Sequence, residues 1–257
     1  MGRTVRSPPR KGWLPSVTFR PGTVVITGAG PGDLGHVSLL AFAYLRKADV
    51  IIYDRLTDHS IFQHARKGTE LIYAGKGPRR KVQQARINLL LRDQARKGKR
   101  VLRWKGGDPY IYGRGYDERQ FLEETGIPVR CLPGISSVTG LPTIAGIPVL
   151  HRGTASTFGV FTGELGKENT SDGISLQRIA LACDTLIGVM VVKKLGLIVK
   201  ELRKVRRADE PVALIVEGAT PRQKVLRTTL AKLPELARRQ KVTSPALLIV
   251  GKVAALP

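Results

Sequence analysis

Acid is scarce in this chain. Asp and Glu number 20 against 43 Lys and Arg, which leaves a net charge of +23. Such a surface attracts polyanions. The excess is spread along the whole sequence: Arg3 to Arg20, Arg79-Arg80-Lys81, Arg96 to Arg100, Arg203 to Arg207, Arg222 to Arg227 and Arg238 to Lys241. Aromatic residues are few, 5%, and are not interleaved with these runs, so a stacking platform for single strands is absent from the pattern. The basic runs read as a solvated face, and specific nucleic-acid recognition is not expected. Cysteine is almost missing. Cys131 and Cys183 stand far apart in apolar surroundings without metal-ligand spacing, as buried free thiols of a reducing compartment would. Four scattered histidines form no cluster either, so no metal is expected. No apolar run approaches the ~18 residues that span a bilayer. A membrane partner is therefore not expected.

What is there is an alternation of short apolar runs and helical patterns. Thr23–Thr27, Asp49–Tyr53, Leu71–Ala74 and Val101–Trp104 read as strands. Ser38–Lys47 has helical apolar spacing with Ser38 placed to cap it, and Gln83–Lys97 puts Ile87, Leu90, Leu91 and Gln94 on one side with Gly98 as the stop. Asp117–Glu124 is a further helix, ended by Gly126. This rhythm predicts an α/β domain with a largely parallel sheet. From Gly134 to Pro148 the chain is rich in Gly, Pro, Ser and Ala, as a closely packed connecting segment would be. Beyond it come β-branched runs at 157–162, 185–192, 211–216, 225–229 and 247–250, with helical stretches at 194–205 and 233–239. These predict a second α/β lobe with a mixed sheet. The expected division is a disordered basic tail at 1–21, an N-terminal lobe at 22–137 and a C-terminal lobe at 138–257. The tail has the composition of an organelle transit peptide, but its prolines argue against the amphipathic helix such a peptide needs.

The most informative segment is Lys105-Gly-Gly-Asp-Pro-Tyr-Ile-Tyr-Gly-Arg-Gly115. A buried strand ends there in Gly106 and Gly107, whose bare backbone lets a ligand approach closely. The Asp108 carboxylate follows at once, and Pro109 stiffens the exit. Gly28-Ala-Gly-Pro-Gly-Asp33 follows an earlier strand in the same way. Its spacing is not that of a dinucleotide fingerprint, and Pro31 removes a donor that a pyrophosphate would use. A neutral or cationic nucleoside suits it better. Asp54 and Lys76 each follow an apolar run, so both are expected at strand C-terminal ends, where open α/β sheets place ligands.

With Tyr53-Asp-Arg-Leu56, Gly75-Lys76, Pro133-Gly-Ile-Ser136, Ala145-Gly-Ile-Pro148, His151-Arg-Gly153 and Glu217-Gly-Ala-Thr-Pro-Arg-Gln223, these segments stand in one order. The chain thereby resembles the S-adenosylmethionine-dependent tetrapyrrole methyltransferases from Thr23 to about Val250. It departs from the family pattern at Tyr116 and Leu150, and in the loop after Lys76.

The resemblance implies two α/β lobes with the active site in the cleft between them, and a homodimer. It implies S-adenosylmethionine as methyl donor and S-adenosylhomocysteine as product. The implied reaction is C-methylation of uroporphyrinogen III to precorrin-2, feeding sirohaem or cobalamin synthesis. A later precorrin or ribosomal RNA is the alternative substrate. By the same resemblance Pro31, Gly106, Gly107, Asp108, Ile111, Ser136, Ser137, Met190 and Ala219 contact the cofactor. Asp54 matches the family's proton acceptor and Lys76 its proton donor, with Lys76 as a substrate-carboxylate clamp the other option. Arg114, His151 and Arg152 are candidates for binding substrate carboxylates. The expected location is cytoplasmic, or an organelle matrix if the basic segment is a transit peptide.

Overall fold

The structure is a computed structural model that describes residues 14–55, 57–75, 80–164 and 176–257. The chain divides into two compact units, the first ending at Ile135 and the second beginning at Ser136.

In the first unit, short runs of β-branched and aliphatic residues become five parallel strands: β1 Val24–Gly28, β2 Val50–Tyr53, β3 Glu70–Tyr73, β4 Val101–Lys105 and β5 Val129–Leu132. Their order across the sheet is β3-β2-β4-β1-β5, with every pairing parallel. Strand alternation sorts the side chains into two layers. Val25, Ile51, Leu102 and Trp104 face α1 (Leu39–Leu45). Val24, Ile26, Val50, Ile52 and Val101 face Ile87 and Leu91 of α2 (Arg80–Arg96) and Leu122 of α3 (Gly115–Glu124). The Ser38 hydroxyl caps α1, accepting from the Ala41 amide at 3.1 Å. Gly98 leaves α2 with φ 75°, which a glycine adopts without strain.

Two expectations are corrected here. The segment read as a disordered tail to residue 21 joins the core before it ends. Val17 and Phe19 are buried in the α1 layer, and Phe19 packs edge-on to Tyr44 at 5.1 Å. Lys47 Nζ also donates to the Val17 carbonyl at 2.6 Å. The density of charge in 1–21 concealed the alternation of Val17 and Phe19. Residues 1–13 lie outside the described residues, as do Leu56 and Lys76. Secondly, the Gly- and Pro-rich stretch after Gly134 contains a helix, α4 (Ser137–Ile144), with Pro142 inside it. The helix is capped by the Ser136 hydroxyl, which accepts from the Val138 amide at 3.2 Å, and it buries Val138, Leu141 and Pro142.

In the second unit the sheet runs β6-β7-β10-β8-β9, from β6 (Phe158–Thr162), β7 (Thr185–Val189), β8 (Pro211–Val216), β9 (Lys224–Thr229) and β10 (Ala246–Val250). Only the β6–β7 pair is parallel. One face packs on α5 (Leu176–Ala182), α6 (Leu195–Leu202) and α7 (Leu233–Arg239), through Leu186, Val212, Leu214, Leu248 and Val250. The other face packs on α4 through Ile187, Ala213, Ile215, Leu247 and Ile249. Among the described residues no helix is long and apolar enough to cross a membrane. Both cysteines are free and half-buried rather than fully buried.

Asp49, at the base of β2, holds the first sheet's N-terminal edge. Its carboxylate accepts from Arg100 Nε at 2.9 Å, Arg100 Nη2 at 2.8 Å and Arg66 Nη2 at 2.7 Å. The Arg100 hydrogen bonds hold its pKa down to about 2 from the ordinary 3.8. A depressed carboxylate pKa stabilises the fold above the unfolded value, and that stability is lost as pH falls through the folded value. The Asp49→Asn variant is therefore expected to lose about 1–2 kcal/mol near pH 7, a figure reduced for solvent screening of a partly exposed pair. Near pH 2 it is expected to match the parent. Thermal unfolding of both proteins across this range checks the convergence.

Candidate active site

The strand order locates the site of the first unit. From β1 the chain crosses to β2 on one side of the sheet. From β4, the neighbour of β1, it crosses to β5 on the other side. The switch point lies between the carboxyl ends of β1 and β4, where open α/β sheets bind ligands. There the two glycine turns meet. The Gly107 amide donates to the Gly30 carbonyl at 2.7 Å, and the Gly30 amide returns a bond to the Gly107 carbonyl at 3.4 Å. Gly134, after β5, completes the contact. A Cβ on Gly28 would lie 2.6 Å from the Gly134 Cα and would strike the Gly107 carbonyl oxygen. Three strand ends thus touch backbone to backbone. Gly28 and Gly134 are glycines because the protein packs on itself there, which is a structural reason beside any ligand.

Gly107 has φ 66°, and Gly106 is half-exposed beside it. Asp108 ties the turn together. Its Oδ1 accepts from the Tyr110 amide at 2.8 Å and its Oδ2 from the Gly134 amide at 3.1 Å. The carboxylate stays half-exposed and, with two oxygens, keeps room for further donors. Ile111 is exposed, and Pro31 sits half-buried in the first glycine turn. Only a short 3-10 turn, Leu34–His36, follows the glycines directly, and α1 begins further on at Leu39, so the long helix of a dinucleotide site does not start there.

Beside this edge lies a cluster that sequence reasoning missed. The β2–β4 register pairs Ile52 with Arg103 and Tyr53 with Trp104, which sets Asp54 next to Lys105. Arg103 and Lys105 alternate onto the α2–α3 layer, and Glu118 of α3 lies over them. All three are buried, with Arg103 1%, Lys105 3% and Glu118 0% exposed. Arg103 Nη2 donates to Asp54 Oδ1 at 2.8 Å and to Glu118 Oε1 at 3.2 Å. Lys105 Nζ donates to Glu118 Oε1 at 2.9 Å and lies 3.8 Å from Asp54 Oδ2. Gln84 of α2 donates to the same Glu118 oxygen at 3.2 Å. Two cations face two anions, so the cluster is neutral as a whole, which is how buried charges persist. Burial, together with the Arg103 charge, pushes the Lys105 ammonium pKa below its ordinary value. Burial opposes the charge on Arg103 too, but Glu118 and Asp54 outweigh it and raise that pKa. Lys105 is thus the cation that yields first. The signal in the sequence was an arginine at an alternating position of an apolar parallel strand, which demands an acid partner.

Asp54 is held firmly. Its amide donates to the Trp104 carbonyl at 3.3 Å, and its own carbonyl accepts from Thr57 Oγ1 at 3.0 Å. Lys76 lies outside the described residues.

In the second unit, β6, β7 and β8 all end at one edge, because β10 runs antiparallel to both β7 and β8. Non-glycine residues in left-handed backbone gather there: Met190 (φ 55°), Glu217 (φ 49°) and Ala219 (φ 57°). Such conformations cost about 1–3 kcal/mol each and cluster at functional sites. Met190 is 43% exposed, so it is not a core residue. The Gly163 amide donates to the Val189 carbonyl at 2.7 Å, and a Cβ there would press on Val191 Cα at 2.7 Å. Ala219 is fixed by its amide, which donates to Gln223 Oε1 at 2.8 Å. The Ser136 hydroxyl is spent on the α4 cap, and Ser137 opens that helix. His151 and Arg152 are exposed in a tight turn, where His151 bridges to Ala155 and its Nδ1 lies 3.3 Å from Thr154 Oγ1. Arg114 is exposed ahead of α3 with φ 56°.

Glycine-edged parallel strand ends at a topological switch point, with a second α/β unit carrying strained strand ends, define an open α/β enzyme. Within that class the chain belongs to the tetrapyrrole (corrin/porphyrin) methylases, whose family model matches residues 23–234, and it is a methyltransferase. It is 37% identical over 235 residues to a uroporphyrinogen-III C-methyltransferase of Methanocaldococcus jannaschii, covering 90% of this chain and 96% of that protein. It is 43% identical over 239 residues to a siroheme synthase of Pseudomonas entomophila, covering 91% of this chain but 51% of that protein. The chain therefore spans about half the length of that synthase. A solved uroporphyrin-III C-methyltransferase of Thermus thermophilus, complexed with S-adenosylhomocysteine, superposes with a TM-score of 0.77 at 35% identity, over 91% of this chain and 99% of that one.

Proposed function

We propose that the chain transfers methyl groups from S-adenosylmethionine to carbon atoms of uroporphyrinogen III, giving precorrin-2. The observation that carries the reading is the bare backbone at the β1–β4 switch point with the Asp108 carboxylate beside it. That edge suits a nucleoside carrying a sulfonium: the glycines present backbone rather than side chains, and the carboxylate favours a nearby amino group or sulfonium. Relatives covering the chain nearly end to end support the substrate. When bound, S-adenosylmethionine supplies an electrophilic methyl group on sulfur.

In this reading Pro31, Gly106, Gly107, Asp108, Ile111, Ser136, Ser137, Met190 and Ala219 contact the cofactor. The left-handed backbone of Met190 and Ala219 supports the last two. Arg114, His151 and Arg152 pair with the acetate and propionate arms of the substrate. Positioning lowers the barrier most, since near-attack geometry is worth ~7–11 kcal/mol. The ring carbon then forms one new bond to the methyl group as the carbon–sulfur bond breaks. Asp54 takes the proton that the methylated ring releases, and Lys76 donates a proton or clamps a carboxylate. A homodimer and a cytoplasmic location complete the proposal.

Incubation with S-adenosylmethionine and uroporphyrinogen III under anaerobic reduction tests it. Mass spectrometry is expected to show two added methyl groups. Methylation of a later precorrin or of ribosomal RNA, with none of uroporphyrinogen III, would overturn it.

A further inference from the structure

The geometry points to Glu118 and Lys105 as positioning residues: the Glu118 carboxylate clamps Arg103 and Lys105 together, so that both cations face Asp54 and fix where its carboxylate sits. This rests on the reading of Asp54 as proton acceptor. Glu118 touches neither the glycine edge nor Asp54. It acts through its bonds to Arg103 Nε at 3.2 Å and Lys105 Nζ at 2.9 Å. Arg103 then grips one Asp54 oxygen at 2.8 Å, while Lys105 stands 3.8 Å from the other. The strand supplying both cations runs directly into Gly106, Gly107 and Asp108, so the clamp also anchors the start of that turn.

The cluster is larger than an ion pair used only for stability needs to be. A buried Arg–Glu pair would already be neutral, and hydrophobic residues of like volume would serve stability as well. Adding Lys105 puts a second cation beside the one acid that remains partly exposed, Asp54 at 32%. Among the described residues, the groups facing Asp54 are Arg103 and Lys105 from β4, Glu118 from α3 behind them, and His59, whose Nε2 lies 3.5 Å from the Asp54 carbonyl oxygen. From α2 the uncharged Gln84 bonds to Glu118 and to Asn88.

Lys105→Met removes the second cation facing Asp54, so kcat is expected to fall by about 10- to 100-fold with KM little changed, a split that a merely structural cluster would not give. Lys105→Arg restores the cation and is expected to recover most of the lost kcat. Glu118→Gln loosens both cations and is expected to lower kcat likewise. Each substitution disturbs a balanced buried cluster, so melting temperature and affinity for S-adenosylhomocysteine are measured on every variant to identify the folded ones. Kinetics are measured with S-adenosylmethionine and uroporphyrinogen III, alongside Asp54→Asn. Loss of activity in Asp54→Asn, with parent-like kcat in folded Lys105→Met, overturns the clamp alone. Parent-like activity in Asp54→Asn overturns the clamp together with the role of Asp54.

Discussion

Asp54→Asn is expected to slow methyl transfer by about 10²–10⁴-fold, the usual cost of removing a general base. The substitution keeps the shape of the side chain. The backbone bonds of residue 54 to Trp104 and Thr57 do not involve the carboxylate, and the amide oxygen still accepts from Arg103. What is lost is the capacity to take a proton and one negative charge beside a buried arginine. Arg103 retains Glu118, so the fold is expected to survive with a lowered melting temperature. Affinity for S-adenosylhomocysteine is expected to hold, because Asp54 is at the end of β2 while the glycine turns leave β1 and β4. Steady-state kinetics with calorimetry on the same preparation checks both halves. A near-parent rate would remove Asp54 from the chemistry and leave positioning as the whole mechanism.

Gly107→Val is expected to weaken S-adenosylhomocysteine binding by about 10- to 100-fold, from backbone strain of ~1–3 kcal/mol at about 1.4 kcal/mol per factor of ten. Residue 107 has φ 66°, a conformation that a β-branched side chain strongly disfavours. Relieving that strain means rotating the peptide that exchanges hydrogen bonds with Gly30, so the two glycine turns would part. The Gly107 carbonyl also packs against Gly28 and Gly134, so some loss of stability is expected with the loss of binding. Calorimetric titration at a temperature where the variant is fully folded separates the two effects. Unchanged affinity in the folded variant would exclude this edge as the cofactor site.

Much of the fold was legible because local burial leaves a local pattern. Val24–Gly28 and Val50–Tyr53 are buried throughout or nearly so, and each reads as an apolar or β-branched run. Val101–Lys105 is equally buried and keeps the apolar pattern at Val101, Leu102 and Trp104, with Arg103 and Lys105 between and after them. Ser38 and Gly98 announced helix ends through chemistry that needs no distant partner. Elements with a weak local pattern escaped. Strand β5 is four residues with an exposed arginine, and α5 is one short apolar stretch. Helix α4 carries Gly140 and Pro142, which read as breakers, yet its cap and its packing against Gly218 hold it.

The sequence by itself determined the two-unit α/β plan, the glycine turns after β1 and β4, and Asp54 at a strand end. Each of these depends on residue type and on neighbours a few positions away. Only the tertiary structure decided that Gly28, Gly107 and Gly134 meet backbone to backbone, that Asp108 accepts from the Tyr110 and Gly134 amides, and that Asp54 pairs with Arg103. It alone brought Glu118 over Arg103 and Lys105. The physical reason is that a buried charge must find its counter-charge wherever strand register and helix packing deliver one. Here the partner of Arg103 came from 49 positions away across the sheet and 15 positions along the chain, and no periodicity in the sequence encodes that meeting.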